Sequence, residues 1–160
     1  MPETLTSAPV TDTDRIEKRV FLKAPQSKVW RAIADSQQFG EWFKVKFDEP
    51  FRQGATIVGR ITNPGYENIK LEMVIEKIHP ETYFSYRWHP YGIDKNKDYS
   101  AEPMTLIEFT LEEANGGTNL TIVETGFDSI PLERRAEAFR MNNNGWSGQI
   151  KNIERYVTGT

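Results

Sequence analysis

The sequence predicts an α+β domain: an antiparallel sheet, two short helices near the N-terminus, and one long C-terminal helix. Three observations lead there. Segments between residues 55 and 127 read as successive strands broken by short turn signals, the pattern of a meander. Upstream, an alternating apolar segment runs through a proline into two short amphipathic stretches. Downstream, a single apolar face recurs at steps of four and three from Leu132 to Val157.

Residues 1–14 (MPETLTSAPVTDTD) are rich in Thr, Pro, Ser and Asp without periodicity and read as a flexible leader, so the single domain is expected over residues 15–158. Ile16, Val20 and Leu22 then alternate along a half-buried strand that stops at Pro25. A first helix is expected from about Pro25 to Ala34, with Val29, Trp30 and Ile33 on one side. Ser36 suits the cap of a second, which gathers Phe39, Trp42 and Phe43 on one face.

The expected strands are ATIVGRIT, NIKLEMVIEKI, TYFSYRWH, MTLIEFTLEE and TNLTIVETGF. Turns fall at Asn63-Pro64-Gly65, His79-Pro80-Glu81, a polar loop from Pro90 to Pro103, and Asn115-Gly116-Gly117. A final helix from Pro131 to Val157 would be on the order of 40 Å long, enough to cross a sheet. Its face comprises Leu132, Ala136, Phe139, Asn143, Trp146, Ile150, Ile153 and Val157, apolar except at Asn143.

That helix carries Gly145 and Gly148 in its interior, where glycine costs roughly 0.5–1 kcal/mol relative to alanine. Two readings stay open. The glycines either let the helix approach the sheet closely, with the asparagines solvated, or mark the wall and hinge of a cavity lined by Asn143 and Trp146.

Composition excludes several functions. With 20 basic and 23 acidic residues the net charge is −3, which offers no general attraction to nucleic acid. The absence of cysteine removes disulfides, thiolate metal sites and a cysteine nucleophile, and fits a reducing, cytoplasmic setting. No apolar run reaches the roughly 20 residues of a membrane span, and Met1 to Asp14 lacks the pattern of a secretory signal. His79 and His89, the only histidines, each precede a proline without ligand spacing, so no metal is expected. Nucleophile-elbow, phosphate-loop and dinucleotide signatures are missing, and no cofactor is expected.

Acid–base chemistry needs less, only a titratable group in an apolar cavity. Glu124, Glu108, Arg60 and Glu72 lie on strands, and each faces either the interior or the watery side of the sheet. Phe84, Tyr86 and Trp88 share one strand face; the polar tips of Tyr86 and Trp88 suit ligand contact.

The order of elements is that of the helix-grip fold. RVFLKAPQSKVWRAIADSQQFGEWF resembles the opening of the START-like superfamily, in the branch of activators of heat-shock-protein ATPase, with Val29, Trp30, Trp42 and Phe43 at its Val-Trp and Trp-Phe positions. GGTNLTIVETGF and GWSGQIKNIERYV resemble its penultimate and closing segments, so the likeness spans about residues 15–157. It implies a curved antiparallel sheet wrapped around the terminal helix, with a cavity that in many relatives takes a hydrophobic molecule. The expected function is therefore binding of a small hydrophobic or aromatic ligand by Trp42, Phe43, Tyr86, Trp88, Asn143, Trp146 and Ile150, with Glu124 as polar anchor. The alternatives are a module that modulates a chaperone ATPase, with a chaperone as partner, and a cofactor-independent polyketide cyclase or hydratase using Glu124.

Overall fold

The computed structural model describes residues 14–67, 69–94 and 96–159. The leader expectation falls on residues 1–13, outside the described residues, and on Asp14, whose Oδ1 accepts a hydrogen bond from the Asp128 N–H at 3.0 Å.

The strands are β1 (Arg15–Leu22), β2 (Val45–Phe47), β3 (Thr56–Ile61), β4 (Lys70–His79), β5 (Tyr83–Trp88), β6 (Thr105–Ala114) and β7 (Gly117–Thr125). The helices are α1 (Gln26–Ala34), α2 (Ser36–Phe43) and α3 (Leu132–Thr158), with a short 3-10 turn at Phe127–Ser129. All seven strands form one antiparallel sheet in the order β1-β7-β6-β5-β4-β3-β2. A register shift between Ile75 and Lys77 in β4 is a bulge, a device that bends a strand and raises its twist. The curved sheet closes over α3, as the helix-grip expectation requires.

The period-two reading holds in detail. Ile107, Phe109 and Leu111 on β6, and Leu120 and Ile122 on β7, are buried, while Glu108 is half-buried and Thr110 and Asn119 are exposed. Strand β2 had no sequence counterpart, because three residues are too few to show a period. It is positioned by contact: Val45 and Phe47 lie over Gly59 of β3, where a β-carbon would come within 2.5 Å of Val45. Helix α2 sits equally close, a β-carbon on Gly40 falling 2.1 Å from the Val45 carbonyl oxygen.

Two local expectations are corrected. Asp35 caps α2, its carboxylate accepting from the Gln37 N–H at 2.9 Å, and Ser36 is the first helical residue, donating to the Glu49 carbonyl at 2.7 Å. On α3 the expected face is right in its second half and rotated in its first. Trp146, Ile153 and Val157 are buried, but Leu132 is 77% exposed, Ala136 is exposed, and Ala138 is the buried residue of the early turns. At about 100° per residue Leu132 still points within about 20° of Val157, so drift along the helix does not expose it. The early inward line instead runs through Ala138, Asn142 and Trp146 in steps of four, which turns it away from the expected face.

Candidate functional site

Phase brings one charged side chain inside. Glu124 lies on β7 between Ile16 of β1 and Ile107 of β6, at an inward position that Leu120 and Ile122 continue, and it is fully buried. Arg60 and Glu72 are exposed, and Glu108 is half-buried where it accepts a hydrogen bond from the Tyr83 hydroxyl.

Four side chains converge on the Glu124 carboxylate. Trp88 Nε1 donates to Oε2 at 2.8 Å and Thr105 Oγ1 to the same oxygen at 2.6 Å. Trp146 Nε1 donates to Oε1 at 2.8 Å, and the Asn142 amide lies 3.0 Å from both oxygens. Trp88 and Thr105 are cross-strand partners on β5 and β6, and Asn142 and Trp146 stand one turn apart on α3. One carboxylate thus ties three strands to the middle of the long helix. Burial pushes its pKa above the ordinary carboxylate value, while the hydrogen bonds from Thr105, Trp88, Trp146 and Asn142 act in the opposite direction.

Beside this knot the space between sheet and helix opens. A cleft of about 660 Å³ is bounded by the ends of α2, β3, β4 and β5, the middle of α3, and the loop after β5. Phe43, Ile61, Leu71, Trp88, Tyr91 and Tyr99 give it an aromatic and aliphatic wall; Asn63, Asn142 and Gln149 add polar groups.

The loop is fastened by charge. Arg134 of α3 donates to Glu102 Oε1 (Nε, 2.9 Å) and to the Pro90 carbonyl (2.8 Å), and its guanidinium lies 4.9 Å from the Tyr99 ring centre. Lys97 reaches the other Glu102 oxygen at 3.0 Å. Burial would raise the Glu102 pKa, but these two cations outweigh it and hold the carboxyl below its ordinary value.

The residues named from sequence divide between wall and support. Phe43 and Trp88 line the cleft. Trp146 stacks on Trp88, rings 5.8 Å apart, and Tyr86 lies edge-on to Trp88 at 5.3 Å with a buried hydroxyl that has no hydrogen-bond partner among the described residues. Trp42 is buried and donates to the Ala32 carbonyl, fastening α2 to α1. Ile150 packs against the core, and Asn143 is half-buried. Asn142, one residue from the position read in the sequence, makes the contact with Glu124; its signal was present as the spacing of four from Ala138 and to Trp146.

Gly145 and Gly148 are exposed, with open space where β-carbons would sit. That overturns close approach to the sheet as their reason. The wall beside them is formed by the other side of the same turns. His89 binds the Glu102 carbonyl through Nε2 at 3.1 Å, and no metal-holding cluster of His, Cys, Asp or Glu occurs among the described residues.

The family model described as Activator of Hsp90 ATPase homolog 1-like protein matches residues 23–158. The chain belongs to this family. No curated protein matches it. Members of the wider fold are similar in structure at low identity. Protein Ms6760 from Mycobacterium smegmatis is 23% identical, with 95% of this chain and 99% of that one covered and a TM-score of 0.71. The Aha1 dimer from Colwellia psychrerythraea is 17% identical over 89% and 95% of the two chains, at 0.66. DynU16, a protein in the dynemicin biosynthetic locus, is 20% identical over 91% of this chain and 47% of its own, at 0.67. The fold of this chain is thus common to chains of diverse sequence. No helix among the described residues is long and apolar enough to cross a membrane.

Proposed function

We propose that this protein binds a small hydrophobic or aromatic molecule in the cleft beside the Glu124 knot. The observation that carries this reading is the cleft itself: its volume lies within the range of small-molecule sites, and its wall sets an aromatic and aliphatic surface beside about as many polar and charged residues. Phe43 and Trp88 supply flat apolar surface, while Asn142 and Gln149 orient the ligand. Glu124 acts behind them, fixing the Trp88 indole and the Asn142 amide. Tyr86, Trp146 and Ile150 support that wall, and Trp42 and Asn143 belong to the elements that frame it.

The same enclosure argues against a cyclase or hydratase role for Glu124. An acid or base must reach its substrate, and this carboxylate is spanned by its own donors. DynU16's place in a biosynthetic locus is compatible with a ligand for the present chain. A cytoplasmic location belongs to the same proposal.

The test is a heteronuclear NMR titration of the labelled protein with fatty acids, flavonoids, polyketide-like aromatics and sterols. Saturable shifts at the Trp88 indole, Asn142 and Phe43 are expected; no response from a folded protein rejects the reading. A second reading, modulation of an Hsp90-type chaperone ATPase, is favoured by the family description and the Aha1 neighbour. A purified chaperone whose ATPase rate is unchanged by the protein removes it.

A further inference from the structure

The Glu124 carboxylate is held by dipoles alone. Its partners are two indole N–H groups, one amide and one hydroxyl, and no lysine or arginine among the described residues forms an ion pair with it. The indoles and the amide NH2 can only donate, so the arrangement matches an ionised carboxylate. The charged groups around the adjacent cleft cancel. Lys70 and Lys97 on its wall are matched in number by Glu72 and Asp98, and Glu102 pairs with both Lys97 and Arg134, which fastens the loop. When Glu124 is ionised, the site holds one interior negative charge with which no lysine or arginine among the described residues pairs.

Trp88 carries that charge to the cleft. Its N–H donates to Glu124 while other parts of the residue line the opening. Donation to a carboxylate pushes electron density into the indole, which strengthens the attraction of the ring face for a cation. Phe43, Tyr91 and Tyr99 add further aromatic surface around the same space.

We propose that the cleft selects ligands bearing an organic ammonium group on an apolar or aromatic frame, with the cation seated against the cleft side of Trp88. The inference rests on the binding role proposed above and gives its ligand a charge.

Three probes sharing one frame test it against the full chain: 3-phenylpropylamine, 3-phenylpropanol and 3-phenylpropanoate, each titrated by NMR and calorimetry. The amine is expected to bind about tenfold more tightly than the alcohol, and the carboxylate most weakly. If the alcohol or the carboxylate binds as tightly as the amine, with shifts at Phe43 and Trp88, the charge selection is overturned and the apolar cleft stands. If none of the three binds and the broader panel is also silent, both readings fall. Glu124→Gln should bring the amine-to-alcohol ratio towards unity, and an unchanged ratio in a folded variant overturns the proposal. Should that variant not fold, Trp88→Phe keeps a ring but removes the N–H that couples it to Glu124. The same fall in ratio is expected there, and an unchanged ratio again overturns the proposal.

Discussion

The two ends of the space between the sheet and its helices are built from similar residues and finish differently. At one end Phe39 lies 4.8 Å from Trp42 and 5.5 Å from Phe51, and Phe51 lies 5.1 Å from Phe47 and 5.4 Å from Phe84, leaving a solid aromatic core under α2. At the other end Phe43, Trp88 and Trp146 also meet within 6.0 Å of one another, but two of their indoles turn their N–H groups to a buried carboxylate and the space beyond stays open. Apolar area alone collapses onto itself. A polar centre with directional demands fixes side chains in place and can hold a wall beside unfilled space.

The sharpest way to break this contrast is to remove the polar centre. Glu124→Leu leaves two indole N–H groups, an amide and a hydroxyl without their acceptor, and is expected to destabilise the protein by about 3–5 kcal/mol in urea unfolding. A loss below about 1 kcal/mol would show the knot to be incidental. Phe39→Ala, in the solid end, should cost about 3 kcal/mol through the cavity it leaves, while ligand shifts at Trp88 persist in the folded fraction. Phe43→Ala is expected to do the reverse, a smaller stability loss with weakened ligand binding, because its ring is only half-buried. If both variants change affinity equally, the two ends are not separate.

Charge sharpens the comparison further. A Glu102 pKa depressed in the folded state adds stability above its ordinary value of 4.5 and loses it as pH falls through the folded value. Glu124 has the opposite sign: its pKa is raised, so its contribution is present at low pH and declines as pH rises through the folded value. Hydrogen exchange should therefore show the Tyr99 loop loosening below about pH 4.5 while the β7–α3 contact keeps its protection. Loosening of both together would contradict the assignment. The smallest effect belongs to the outer face of α3, where Gly145→Ala and Gly148→Ala should each raise stability by roughly 0.5–1 kcal/mol without altering ligand shifts, since nothing stands where their β-carbons would go. Altered shifts would mean that helix flexibility at this turn serves the cleft.

Much of this was legible in the chain. The alternation of Leu120, Ile122 and Glu124 offered an inward carboxylate, Trp88 was visible as an aromatic residue with a polar tip, and Trp146 as a residue of the helix face beside a cavity. Strand β2 was not, because its position follows from Gly59 and Gly40 admitting Val45 and Phe47 rather than from any period of its own. Asn142 was missed by one residue, since the inward line of the early helix follows steps of four through Ala138, Asn142 and Trp146 and not the alternating steps of the expected face. The sequence by itself determined the order of every element but β2, the two periodicities and the family. Only the tertiary structure decided that Glu124 faces inward, that Asn142 reaches it, and that the helix glycines face away. These depend on helix rotation and strand phase about a shared core, and both follow from burying the apolar faces of sheet and helix together while the one inward carboxylate keeps its donors.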